Sequence, residues 1–153
     1  MKFLHQITSA SIAAFLVIAV LAAYSGFTKF INRPDSFMTV HVVVPDHKQG
    51  EDPEIIYERN IKRAASGVWV VEANCKQNEG NCDSQPKCSG SGAHSYKPVE
   101  AGITRPQLSY YIGQKCILDP GVYKLSTWWN LTDSAGNTAT VTHETKPFTV
   151  SPN

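Results

Sequence analysis

The chain has 153 residues, with fourteen Lys and Arg against thirteen Asp and Glu, which leaves room for one domain once about thirty N-terminal residues are set aside. Three of the cations, Lys2, Lys29 and Arg33, fall in or beside that first stretch, so the remainder is slightly acidic. It lacks the basic face that phosphate backbones require, and nucleic acid is excluded as an expected partner.

Residues 1–33 read as a membrane anchor or signal segment. No Asp, Glu, Lys or Arg lies between Lys2 and Lys29, and the run from Ile12 to Ala23 is almost wholly apolar. With its flanks, residues 7–27 supply the roughly 20 residues a helix needs to cross a bilayer. Tyr24, Phe27 and Phe30 followed by Arg33 suit the headgroup level of the outer interface. A cleaved signal peptide stays open as the alternative, with Lys2 as its n-region and Ala23-Tyr-Ser25 as a small-residue exit before Gly26. The uncharged length and the cations beyond it favour the anchor. Flanking charges balance across the segment, so they do not orient it.

Residues 34–153 form the expected domain. Ser36 to Val44 is β-branched and ends at Pro45, as a strand does. Asp46 to Pro53 is a polar loop. Ile55, Tyr57, Arg59 and Ile61 then alternate with Ile56, Glu58 and Asn60, the period-two pattern of a half-buried strand. A third strand covers Gly67 to Asn74, with Trp69 and Val71 on one face and Val68 and Val70 on the other.

From Cys75 to about Ser95 the chain is polar and rich in Gly, Ser, Asn and Pro, which predicts a long cysteine-bearing loop. Cys75, Cys82, Cys88 and Cys116 are even in number and are separated by six, five and twenty-seven residues. Those gaps lack the close Cys pairs of a zinc site. Disulfides persist only in oxidising compartments, so the domain is expected outside the cytoplasm. Cys75 with Cys82 across a turn-rich segment, leaving Cys88 for Cys116, is the preferred pairing; Cys75 with Cys116 and Cys82 with Cys88 remains open. Ser89-Gly-Ser-Gly92 reads as a turn, because a nucleophile elbow needs Gly-x-Ser-x-Gly between a strand and a helix.

Strands are expected again at Gln107 to Ile112 and Lys115 to Leu118. Asp119-Pro-Gly121 is a turn; Tyr123, Leu125 and Thr127 alternate after it, and Asp133 to Asn137 makes a hairpin loop before a final strand region from Thr138 to Val150. On this strand Trp129 shares the inner face with Tyr123 and Leu125, while Trp128 points outward with Lys124 and Ser126. Tyr123, Trp69 and Trp129 are the expected structural aromatics. Trp128, Tyr110 and Tyr111 are the candidate binding residues, since exposed aromatic rings suit sugar or protein partners.

Several short strands separated by turns predict an all-β fold, a single antiparallel β-sandwich preceded by one hydrophobic helix; a closed barrel is the runner-up. Pro120-Gly-Val-Tyr123, Asp133-Ser-Ala-Gly-Asn137 and Phe148-Thr-Val150 together resemble the C-terminal half of bacterial immunoglobulin-like and fibronectin type III-like modules. The resemblance covers about thirty residues. It implies an immunoglobulin-like sandwich in which Tyr123 is a tyrosine-corner residue, its ring in the core and its hydroxyl on nearby backbone. The chain departs from adhesin-type versions in its single copy, its cysteine-bearing insertion and its own N-terminal segment.

Candidate chemistry is sparse. His41, His47, His94 and His143 show no metal-ligand spacing, and Glu72, Glu100, Asp119 and Glu144 sit in no motif for paired-carboxylate catalysis. Asp133 and Asn137 offer two oxygen ligands where Ca²⁺ takes six to eight. Asn130-Leu-Thr132 fits a glycosylation acceptor. The expectation is therefore a non-enzymatic, membrane-tethered extracytoplasmic module, without cofactor or metal, that binds a protein or an envelope polymer. A secreted or periplasmic carbohydrate-binding domain is the alternative, and a hydrolase whose residues converge only in three dimensions the most remote one.

Overall fold

The computed structural model describes residues 2–75, 86–113 and 115–153. The chain divides into two compact units, Met1–Arg33 and Pro34–Asn153.

The first unit is one helix, α1 (Lys2–Ile31). At 1.5 Å per residue it is about 45 Å long, longer than the hydrocarbon core of a bilayer. Its apolar window, Ala14–Ile31, has the length and composition of a membrane span, a test that a signal sequence also passes. Phe15, Leu16, Ile18, Leu21, Phe27 and Phe30 are all exposed. The Ser25 hydroxyl donates to the Ala22 carbonyl and the Thr28 hydroxyl to the Ser25 carbonyl. Both polar groups are thus satisfied within the helix, as an apolar solvent demands.

The second unit is mostly β-structure. It opens with a single helical turn, α2 (Pro34–Phe37), where proline supplies the preset φ of a first helical residue. The expected strand therefore starts two residues late, as β1 (Met38–Val43). Two further strands complete a three-stranded antiparallel sheet in the order β1-β3-β6: β3 (Ile56–Ile61) and β6 (Val99–Thr104). The register of β3 against β6 shifts between Arg59 and Ile61.

The larger sheet has six strands. Its spine is β7 (Gly121–Asp133), paired along its length with β4 (Ala65–Cys75) from Tyr123↔Cys75 to Asp133↔Ala65. The other edge of β7 is shared: β9 (Phe148–Ser151) takes Gly121 to Tyr123, and β8 (Thr138–Glu144) takes Ser126 to Thr132. A two-residue strand, β2 (His47–Lys48), adds parallel to β9, and β5 (Cys88–Tyr96) closes the far side against β4.

The inner faces of both sheets feed one buried cluster. Phe37, Met38, Val42 and Ile61 come from the smaller sheet's side, and Leu125, Trp129 and Phe148 from the larger. Along β7 the two-residue period is regular: Tyr123, Leu125, Thr127, Trp129 and Leu131 are buried, while Asn130 and Thr132 are exposed. The β7–β8 loop is an Asp-initiated turn. One Asp133 carboxylate oxygen accepts from the backbone N–H groups of Ala135 and Asn137, and Gly136 takes the positive φ of 81° that the loop requires. Hydrogen bonding from the Asn137 side chain is the main influence holding the Asp133 carboxyl below its ordinary range.

Three expectations fail in this unit. The stretch Gln107 to Ile112 is not a strand but contains a short helix, α3 (Leu108–Ile112). Tyr-Tyr-Ile favours extended structure locally, yet Leu108 and Ile112, four residues apart, are both buried, and the Asp52 carboxylate accepts from both the backbone N–H and the hydroxyl of Ser109. Gly113 ends the turn with φ 76°. Lys115 to Leu118 alternates exposed and buried as a strand would, but it has no ladder partner among the described residues; Cys116 is held by its disulfide instead. Finally, Cys88 to Ser95, expected within the long polar loop, belongs to β5; residues 76–85 of that expected loop lie outside the described residues. Ser89-Gly-Ser-Gly92 is paired strand, from Ser89↔Glu72 to Gly92↔Trp69.

Candidate functional site

A cavity of about 450 Å³ lies between the inner faces of the two sheets, a size ordinary for small-molecule sites. The sequence seats two of its walls by leaving side chains out. On β5 the inward row reads Gly90, Gly92, His94 and Tyr96. A Cβ on Gly92 would lie 2.8 Å from the Trp69 ring, and one on Gly90 only 2.2 Å from the carbonyl oxygen of Tyr111. The two glycines therefore let the Trp69 indole and the turn of α3 rest directly on the strand backbone.

Cys88–Cys116 ties the start of β5 to the segment after α3, with the Cα atoms 5.8 Å apart. This is one half of the preferred cysteine pairing, and it excludes Cys75 with Cys116. Cys75 is also disulfide-bonded; Cys82, and with it the Cys75–Cys82 pairing, lies outside the described residues.

Tyr111 is the centre of the aromatic wall. Its ring stands edge-on to Trp69 (centroids 5.8 Å, 90°) and to Tyr110 (5.2 Å, 90°), and tilted against Tyr57 (5.7 Å). Perpendicular packing at these distances suits the ring quadrupoles. Tyr96 and Trp129 are deeply buried cavity residues, whereas Tyr110 is 76% exposed and stands at the rim. His94 packs edge-on to Tyr96 at 4.9 Å.

One cation enters this wall. Arg59 follows Tyr57 by two residues and shares its face of β3. Its guanidinium carbon lies 5.6 Å from the Tyr57 ring centre and 5.9 Å from that of Tyr96, within cation–π range. Among the described residues no carboxylate forms an ion pair with Arg59, and the cavity lining contains neither Asp nor Glu. Its register partners on β1 and β6 are Val40 and Gly102.

Burial sets the protonation of the phenols. It pushes the hydroxyls of Tyr96 and Tyr111 up to about 12, and raises that of Tyr57 against a smaller opposing pull from Arg59. At neutral pH all three are hydrogen-bond donors. The lining thus offers one positive charge, an imidazole, phenolic donors and flat apolar surface, which is equipment for binding.

Of the residues singled out from sequence, Tyr110, Tyr111, Trp69 and Trp129 meet at this cavity. Trp128 does not: it is half-buried on the opposite face of β7, in register with Val70 and Thr142. Tyr123 sits on β7 directly opposite Phe148 of β9, its ring stacked on that of Phe148 and its hydroxyl 2.9 Å from the Asp119 carbonyl. Sequence reasoning passed over Arg59, Tyr57 and Tyr96. A signal for Arg59 was present, as the one cation in the inward row Ile55, Tyr57, Arg59, Ile61.

His143 has a different place. Its Nε2 lies 3.0 Å from the Val42 backbone nitrogen, so a side chain of β8 accepts a main-chain hydrogen bond from β1 and joins the two sheets. His41 packs edge-on to the same ring. Among the described residues no three His, Cys, Asp or Glu side chains converge as a metal site. Compared with known proteins, the sequence matches no family model and no curated protein.

Proposed function

We propose that this chain is a non-enzymatic binding module: an immunoglobulin-like β-sandwich held to a membrane by α1 on the extracytoplasmic side, which receives a small molecule, or a protruding group of an envelope partner, in its inter-sheet cavity. The observation that carries the reading is the cavity itself, aromatic on its walls, charged at one point and open beside Tyr110. A core of this kind gives up packing that a purely structural module would retain. The Tyr123 hydroxyl bonded four residues upstream supports the immunoglobulin-like assignment. Cysteines in disulfide form support the compartment, and the exposed apolar surface of α1 supports the tether.

The binding reading is tested with the full chain in detergent micelles and two ring probes, phenol and benzoate, followed by saturation-transfer NMR. Saturable binding of at least one probe, lost when Val71→Leu narrows the cavity without lowering the melting temperature, is the expected result. No saturable binding of either would refute it. For the tether, N-terminal sequencing of the exported protein should return an intact α1; a start near Gly26 would replace the anchor with a cleaved signal. The exposed Tyr110 ring favours a second reading, in which the rim stacks on a sugar. A glycan array on wild type and Tyr110→Ala separates the two, since only sugar stacking gives a signal that the variant loses.

A further inference from the structure

We infer that the cavity selects a small organic anion with a planar ring, its carboxylate against Arg59 and its ring against the corner formed by Trp69 and Tyr111. This rests on the binding reading above and names the ligand class for the same site.

The charge balance points first. Arg59 is half-buried, faces two tyrosine rings, and has no carboxylate partner among the described residues. Rings satisfy only part of a guanidinium, whose five N–H donors in a fixed fork match a carboxylate in bidentate fashion. Among the described residues no side chain supplies that group. Glu58 and Asn60 point to the other face of β3, and the cross-strand neighbours of Arg59 are Val40 and Gly102. The charge-assisted bond is left for something that enters.

The walls then select the rest of the ligand. Trp69 and Tyr111 meet at a right angle with centroids 5.8 Å apart, so a flat ring can stack on one and meet the edge of the other. Around the anion, the protonated phenols of Tyr57, Tyr96 and Tyr111 donate hydrogen bonds, and His94 stands beside Tyr96. A cationic ligand would otherwise suit an aromatic cage, but Arg59 occupies the position such a cation would take and repels it. A neutral ring gains the stacking and forgoes the guanidinium.

The test titrates the full chain in detergent micelles at pH 7.5 with benzoate, benzyl alcohol and benzyltrimethylammonium, following tryptophan fluorescence and calorimetric heat. Benzoate should bind at least tenfold more tightly than benzyl alcohol, weaken with added salt, and exclude benzyl alcohol competitively; benzyltrimethylammonium should not bind. Arg59→Gln should bring benzoate down to the level of benzyl alcohol, with Arg59→Lys in between. The comparison of probes on the wild-type chain needs no variant to fold. Equal affinities for benzoate and benzyl alcohol would overturn the anion assignment while leaving the cavity a binding site. Preference for benzyltrimethylammonium would reverse the assignment, and binding of no probe would remove both this inference and the reading beneath it.

Discussion

Replacing Gly90 by Ala should damage both the stability of the domain and the geometry of the cavity. Gly90 is not among the glycines with positive φ, so its backbone suits any residue and the cost of a side chain there is steric. The added Cβ would sit 2.2 Å from the Tyr111 carbonyl oxygen and 2.7 Å from the Ile112 Cα. Carbon makes ordinary contacts at about 3.5 Å, so α3 must retreat by about 1 Å. The atoms in the way are backbone, and the turn is held by buried Leu108 and Ile112 and by the Asp52–Ser109 hydrogen bonds, so no rotamer change relieves the clash. Overpacking costs about 1–3 kcal/mol, and loosening the edge contacts of Tyr111 adds roughly 0.5–1 kcal/mol. The reduced freedom of the unfolded alanine chain returns about 0.5 kcal/mol. The net is about 2 kcal/mol, which for a domain of this size lowers the melting temperature by roughly 8 °C. Circular dichroism melts of the full chain in detergent measure it, with Ser91→Ala, exposed on the outer face of the same strand, as the control within about 0.5 kcal/mol of wild type. A Gly90→Ala protein that melts within about 2 °C of its parent would refute the claim that the glycine exists to seat α3.

The tyrosines make the domain sensitive to alkali. The phenols of Tyr96 and Tyr111 are raised from 10.0 to about 12 in the folded state, so the folded chain holds more protons than the unfolded one between those values. Their stabilising contribution is fully present below pH 10 and is lost as pH rises through about 12, which melts in that window together with ultraviolet titration of phenolate will show. Removing Cys88–Cys116 by a double Ser substitution reopens a loop with a sequence separation of 28; loop-closure entropy puts the loss at about 3–4 kcal/mol, measured by denaturant titration. Tyr123→Phe keeps the stacked ring and deletes the hydroxyl that donates to Asp119, which should cost about 1 kcal/mol in the same titration.

Legibility in the sequence followed the side chains. The spine of the larger sheet could be read directly, because Tyr123, Leu125, Thr127 and Trp129 alternate between two turns and the observed burial keeps that period. Strand β3 was legible for the same reason. Strand β5 was not: its outward residues are Ser89, Ser91, Ala93 and Ser95, its inward ones run Gly90, Gly92, His94, and only Tyr96 at its end carries a hydrophobic signal. What makes it a strand is the continuous backbone ladder offered by β4, a tertiary fact. The turn of α3 was hidden by the opposite effect. Its Tyr-Tyr-Ile favours extended structure, and the acceptor that fixes the turn, Asp52, lies 57 residues away in sequence.

Two of the misread elements, β5 and α3, border the candidate site, and there is a physical reason for that. A cavity in a small core needs positions where the local pattern is broken: glycines where a strand wants bulk, a cation where the row wants an aliphatic residue, and a helical turn where the propensity says strand. Gly90, Gly92, Arg59 and Tyr110-Tyr111 are those breaks, and all but the two glycines line the cavity, while the glycines seat its walls. Where local pattern and global fold disagree, the cost is retained for function more often than for stability. Gly50 and Gly136 differ, since each only accommodates a positive φ in a surface loop. Filling the cavity with Val71→Leu, which deletes no hydrogen bond, should therefore raise the stability of the domain while it removes binding, and a variant that lost both would mean that the space is occupied by structure rather than kept open for a ligand.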